Sequence, residues 1–217
     1  LTHSHSDHRG GMEAFKDATI IISQKCKENM PTSVRFSKFT IETFEETHIL
    51  KENNLKVEFL KVAGHSIGSS VAYFPNEKVL FGGDLFFVGS GNLGLPFMSL
   101  YQNRPKRTGN PDEYLAAFET FMGMEIDVII PGHGDLVFNP QEYLESQKLF
   151  FQALKKHFIS AIEDGKSLEE IKMPELDPIK QAYTKVESGT SVSKAKRFLD
   201  HYLDLLKKSF YNHYCSK

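Results

Sequence analysis

A chain of 217 residues, 40% of them hydrophobic, can bury one substantial core, and its length predicts one domain or a domain with an appendage. A formal net charge of −2 leaves no overall basic field of the kind that non-specific nucleic-acid binding exploits, so a small-molecule substrate is expected and no nucleic-acid partner. No apolar run approaches the roughly 18 residues of a membrane span, and the two cysteines, Cys26 and Cys215, match no zinc-finger or redox spacing, so a soluble, reducing, cytoplasmic setting without a disulfide scaffold is expected.

The chain opens at Leu1 rather than Met, which raises the expectation that residues upstream, with any targeting signal, are missing. Residues 1 to 10 read as a polar loop ending in glycine, followed by a short helical stretch around Met12, Ala14 and Phe15 and a strand from Thr19 to Ser23. Strand patterning dominates to about residue 82, with runs at Val57 to Val62, Ser70 to Phe74 and Lys78 to Phe81, and with turns at Asn53-Asn54 and Pro75-Asn76. Phe86 to Gly109 has little periodicity and reads as a long loop of the kind that is usually functional or disordered. Helical spacing returns at Tyr114, Phe118, Phe121 and Met122 after the cap candidate Asn110-Pro111-Asp112. A strand over Asp127 to Ile130 follows. Beyond Pro140, the residues Tyr143, Gln147, Phe150, Phe151, Leu154, Phe158 and Ile162 fall on one helical face, and Gly165 ends the run. Ala195, Phe198, Leu199, Tyr202, Leu205 and Leu206 mark a last helix. This order predicts an α/β or α+β domain with a C-terminal helical appendage, and there is no internal repeat.

The run Thr2-His3-Ser4-His5-Ser6-Asp7-His8 packs three imidazoles and a carboxylate into the six positions from His3 to His8. Imidazole and carboxylate together suit zinc and related first-row metals. Alternate residues of an extended segment project to one side, so His3 and His5 can serve one metal while the turn that follows leaves Asp7 and His8 to face a second. Three more residues have the surroundings a metal pocket needs: His65 in Ala-Gly-His-Ser-Ile-Gly-Ser, Asp84 in Phe-Gly-Gly-Asp and His133 in Pro-Gly-His-Gly. Each is expected at a strand end beside glycine, where backbone and ligand can approach closely. Taken together, five of the nine histidines and two aspartates share that placement. Ser66 and Ser69 lack the partners of a nucleophile, and His48, His157, His201 and His213 fit no ligand frame.

These motifs in this order, His3 to His8 followed by Gly10-Gly11, then Gly64-His65, Gly83-Asp84 and Pro131-Gly132-His133-Gly134, resemble the metallo-β-lactamase superfamily. The resemblance spans residues 1 to about 137. It implies an α+β, four-layer αββα sandwich with the metals at one edge between two sheets, and with the strands that precede the motif in family members absent here. It implies a metal-binding domain over residues 1–139 and a C-terminal helical extension over 140–217. By the same resemblance His3, His5 and His65 bind one divalent metal ion, Asp7, His8 and His133 bind the other, and Asp84 bridges both. Zinc is the first choice, with iron or manganese as alternatives.

The implied activity is a dinuclear metallohydrolase that activates water to cleave a small-molecule ester, thioester, lactone or amide, with Asp7 also handling the proton. Asp84 is unlike the true β-lactamases of the family, and His5 stands where flavodiiron proteins carry glutamate. The stretch Gly83 to Gly91 looks like glyoxalase II thioesterases, except that Ser90 and Asn92 replace their usual cysteine and arginine. Acyl-homoserine lactonases are similar in the metal motifs but place a tyrosine where Phe87 stands. The alternatives are a mononuclear iron enzyme resembling persulfide dioxygenases, with the iron at His3, His5 and His65, and a catalytically silent module of the same fold. Arg104, Lys106 and Arg107 read as a solvated loop or as a steering patch for an anionic substrate. Phe86, Phe87, Leu93, Leu95, Phe97 and Met98 read as core or as the wall of an apolar pocket. The aromatic residues Phe150, Phe151, Phe158, Phe198, Tyr202, Phe210 and Tyr211 suggest a homo-oligomer contact through the C-terminal helices.

Overall fold

A computed structural model describes residues 1–88, 95, 96, 98, 109–188 and 192–216. The chain is α+β, with two sheets followed by helices. The first sheet is a parallel pair, β1 (Thr19–Ser23) and β2 (Thr40–Phe44). Three consecutive isoleucines make β1 a good strand former. One turn of helix, α1 (Ser6–Arg9), and a 3-10 turn (Met12–Phe15) lead into it, and a short helix, α2 (Gln24–Glu28), follows it.

The second sheet runs in sequence order: β3 (Thr47–Glu52), β4 (Leu55–Lys61), β5 (Ser70–Phe74), β6 (Val79–Val88) and β7 (Val128–Gly134). Its first four strands are antiparallel neighbours. The hairpin between β3 and β4 turns on Asn53-Asn54, with Asn53 at φ 52, a left-handed conformation that asparagine tolerates. β6 and β7 are parallel, which requires a crossover. Helix α3 (Pro111–Met122) lies on that crossover. Asn110 caps it by accepting a bond from the Glu113 N–H at 2.7 Å. The helices α4 (Pro140–Glu163), α5 (Asp177–Glu187) and α6 (Val192–Cys215) complete the chain.

Two strand expectations are corrected in a way that matters for the site. The loop expected from Phe86 begins later, because β6 runs on through Gly82-Gly83-Asp84 to Val88. Its register against β7 shifts between Phe81 and Gly83 and again between Gly83 and Phe87, so two irregularities replace the strand end that the glycines suggested. Irregularities of this kind bend a strand and re-aim a side chain. The strand expected at Asp127 to Ile130 runs instead from Val128 to Gly134 and contains His133.

One core cluster joins the sheet to the C-terminal helices. It includes Val71, Leu80 and Phe86 from the sheet, Phe118 from α3, Phe151 and Phe158 from α4, and Phe210 from α6. A chain of aromatic contacts runs through it: Phe86 to Phe118 at 6.4 Å, Phe118 to Phe151 at 5.7 Å, and Phe151 to Phe210 at 5.5 Å. The aromatic residues that suggested an oligomer contact are therefore largely spent on this chain's own core, although Phe198 is 62% exposed. A smaller cluster of Met12, Ile22, Cys26 and Met30 lies under the first sheet. No helix among the described residues is long and apolar enough to cross a membrane.

Candidate metal centre

The seven residues singled out in the sequence come from five separate places and meet in space. His3 and His5 lie on the extended opening stretch, with His5 capping α1, whose single turn carries Asp7 and His8. His65 lies between β4 and β5, Asp84 in the irregular part of β6, and His133 near the end of β7. They form two overlapping sets, His3, His5, His65 and Asp84, and Asp7, His8, Asp84 and His133. In each set the candidate ligand atoms lie within 4.8 Å of one another.

In the first set His5 Nδ1 is 2.9 Å from His3 Nε2 and 3.1 Å from His65 Nε2. Asp84 Oδ2 lies 3.5 Å from each of those two Nε2 atoms. In the second set Asp84 Oδ1 lies 2.8 Å from His8 Nε2 and 3.6 Å from His133 Nε2, and Asp7 Oδ2 lies 3.4 and 3.1 Å from the same two atoms. The two oxygens of Asp84 thus face different sets. His3, His65 and Asp84 are buried, whereas His133 and Asp7 are 38% and 53% exposed, so the second set faces solvent.

The electrostatics favour the metal-binding forms of His3, His5 and Asp7, whereas His8 is drawn toward its protonated form by the neighbouring carboxylates. Burial, reinforced by the neighbouring rings of His65, His8, His5 and His133, pushes the His3 pKa far below its ordinary value, which leaves a neutral imidazole. Burial also lowers His5, against the pull of Asp84 and Asp7. Burial opposes the charged form of His8, but Asp84 and then Asp7 outweigh it, and its pKa is raised. For Asp7, burial is outweighed by a backbone hydrogen bond and by His8 and His133, so its carboxyl is held below the usual range.

One observation tests whether these residues suit a cation. Asp84 Oδ1 is buried, and among the described residues it has no well-aligned hydrogen-bond donor, its nearest polar neighbour being His8 Nε2 at 2.8 Å. A buried carboxylate oxygen without a donor is costly. A cation placed among the convergent nitrogens and oxygens satisfies it, and the set of imidazole and carboxylate donors is one that zinc takes.

Neighbouring residues hold the ligands in place. Gly132 leaves room for Asp84, since a Cβ there would run into Asp84 Oδ1. Tyr114 of α3, fully buried, donates to the Asp84 carbonyl at 3.3 Å. Phe87 stacks on His133 with centroids 5.0 Å apart and planes 17° from parallel. Thr2 Oγ1 lies 3.2 Å from His3 Nδ1 and 3.4 Å from His8 Nδ1. The sequence gives no role to Thr2 or Tyr114, and it marks Gly132 only as one of the glycines that allow close approach beside His133. Thr2 adjoins the first histidine, the only signal it offers, while Tyr114 reads as one more apolar position of α3.

Ser66 and Ser69 are buried and bonded to each other through their hydroxyls at 2.8 Å, as turn residues are. His48 lies 3.5 Å from Glu42, His157 meets the Lys172 carbonyl at 2.8 Å, and His213 meets Asp112 at 2.8 Å, all away from the two sets. Phe86, Leu95 and Met98 are core rather than pocket wall. Ser90, Asn92, Leu93, Phe97, Arg104, Lys106 and Arg107 lie outside the described residues.

A family model described as the metallo-beta-lactamase superfamily matches residues 1–133. A hydroxyacylglutathione hydrolase of Pseudomonas entomophila is 34% identical over 98 residues, which is 43% of this chain and 35% of that protein. Another of Bartonella quintana is 33% identical over 121 residues, 53% of this chain and 45% of that protein. The chain therefore spans less than half the length of these relatives. In fold it is similar to an archaeal metallo-beta-lactamase superfamily protein from Sulfolobus tokodaii, at a TM-score of 0.59 and 16% identity over 96% of this chain and 79% of the other.

Proposed function

The chain belongs to the metallo-beta-lactamase superfamily, and on that premise we propose that it is a hydrolase in which His3, His5 and His65 hold one divalent cation, Asp7, His8 and His133 hold a second, and Asp84 bridges the two. The observation that carries this reading is the division of the Asp84 carboxylate, Oδ2 toward one set and Oδ1 toward the other. The substrate class is a small-molecule ester, thioester, lactone or amide. A hydroxyacyl thioester comes first, because the similar curated proteins are named for hydrolysing one. Zinc is the proposed metal.

Cations held by these residues would supply a water of lowered pKa as nucleophile and would polarise the carbonyl under attack. The chain's own groups do the rest. The buried rings of His3 and His65 close the inner side of the site to bulk water, and the more open second set leaves the substrate its approach. The Asp7 carboxylate is ionised at neutral pH and half exposed, so it can take a proton from the attacking water and pass it to the leaving group. Phe87 places an apolar ring beside both sets, 6.3 Å from the His65 ring and stacked on His133, and so offers a surface for the acyl portion.

The test is elemental analysis of the purified protein together with a screen of thioesters, lactones and β-lactams, with and without chelator. Two zinc ions per chain and chelator-sensitive thioester hydrolysis are expected. One iron per chain with oxygen consumption on a persulfide overturns the reading in favour of a dioxygenase, and correct folding with two zinc ions but no turnover points to a silent module.

A further inference from the structure

We propose that the Thr2 hydroxyl is a positioning group shared by both cation sites, a proposal that rests on the metal-binding reading above. One oxygen touches one histidine from each set, His3 at 3.2 Å and His8 at 3.4 Å, in both cases at Nδ1. Each of those rings turns its other nitrogen toward the bridging carboxylate: His3 Nε2 lies 3.5 Å from Asp84 Oδ2 and His8 Nε2 lies 2.8 Å from Asp84 Oδ1. The ring centroids are 4.1 Å apart. A neutral imidazole that coordinates through Nε2 carries its proton on Nδ1. Both rings therefore donate to Thr2 Oγ1, whose two lone pairs suffice for two donors.

Thr2 is itself held from two directions, which is what lets it orient anything. Its carbonyl accepts the Ser70 N–H at 2.8 Å and the Ser70 hydroxyl at 3.2 Å, at the start of β5. Its side chain rests against Gly83, where an added Cβ would come within 2.9 Å of Thr2 Cβ and 3.1 Å of Oγ1. Gly83, at φ 52, immediately precedes Asp84. Thr2 thus sits where the opening stretch, β5 and the irregular part of β6 meet, and it couples the orientation of His3 and His8 to the backbone that carries Asp84. Outer groups of this kind fix both the tautomer and the direction of a metal-binding ring, and their loss costs roughly 10–100-fold in metal affinity.

The experiment is competition between the protein and a chromophoric chelator for zinc, on the wild type, Thr2→Val and Thr2→Ser, with the absorption spectrum of the cobalt(II) form as a second readout. Thr2→Val keeps the shape and removes the acceptor. It is expected to weaken both sites together, by roughly 10–100-fold each, and to shift the cobalt bands, while Thr2→Ser restores affinity and spectrum. Wild-type affinity at both sites in Thr2→Val, or a loss confined to one site, overturns the proposal while leaving the metal reading intact. Failure of the wild type to bind two ions removes the metal reading and the proposal with it. Should Thr2→Val not fold, ring 15N spectra of the zinc-loaded wild type decide: protons on Nδ1 of both His3 and His8, protected from exchange, are expected, and an Nε2 proton on either ring overturns it.

Discussion

Asp84 is the residue on which the two halves of the centre depend, because each of its oxygens faces a different set of imidazoles. Asp84→Asn keeps the shape but removes the charge and one of the two acceptors. We expect bound zinc to fall from two ions to at most one, measured by elemental analysis after dialysis, and thioester hydrolysis to fall by more than the ~100-fold that outer-group changes reach. Gly132→Ala reaches the same carboxylate by crowding, since the new Cβ would run into Asp84 Oδ1. It should lower zinc occupancy while leaving the circular dichroism of the fold in place, and unchanged occupancy would show that Asp84 can move aside at little cost. The two cysteines should differ in reactivity. Cys26 is fully buried and its thiol is pushed up to about 12 by burial, whereas Cys215 is exposed. Because the thiolate is the reactive form, a thiol reagent at neutral pH should titrate one group in the native protein and two after denaturation. The seven candidate ligands were legible because metal chemistry restricts a ligand to a few side-chain types. Thr2 and Tyr114 were not, nor was which carboxylate Gly132 makes room for, because a threonine, a core tyrosine or a glycine acquires its partner here only from what lies opposite it in space.

At the scale of elements, the centre depends on how α3 is seated, since its Tyr114 donates to the Asp84 carbonyl. The first turn of α3 is clasped by the end of the chain: Asp112 accepts from Lys155 of α4 and from His213 and Tyr214 of α6, each at 2.8 Å. Asp112→Ala leaves three donors without their acceptor. The clasp is partly exposed, so the expected cost is about 1–3 kcal/mol, read as a lower urea midpoint at unchanged slope. β1 and β5 fell where their β-branched and alternating patterns put them. β6 was cut short because Gly82-Gly83 reads as a break, whereas in the sheet it is an irregularity that keeps the strand going. Helix α5 went unread: its apolar positions Ile179, Ala182 and Val186 do have helical spacing, but polar residues flank them in a short span. On α6, Phe198, one of the residues that mark the helix in the sequence, is exposed, while Phe210 and Tyr214 further along are buried.

For the molecule as a whole, the question is whether the metal-binding part stands without its C-terminal helices. A boundary at residue 139 follows the motifs, but the packing crosses it. Phe151, Phe158 and Phe210 lie in the same cluster as Leu80 and Phe86, which stand on either side of Asp84 along β6. Removing residues 140–217 would expose Phe86 and Phe118 to water at a cost of roughly 1.5–3 kcal/mol for each such side chain, a large share of the 5–15 kcal/mol by which native domains are stable. Residues 1–139 alone should therefore lack a cooperative unfolding transition and fail to retain zinc. The full chain should unfold in one step, and zinc at a hundredfold excess over its dissociation constant should stabilise it by about 2.7 kcal/mol per site, lost again on adding chelator. A truncated chain that bound two zinc ions would show that the ligands are held by the two sheets alone. The clasp at Asp112 and the shared core point the other way: the helices brace α3, α3 braces Asp84, and the bridging carboxylate is only as well placed as the packing behind it.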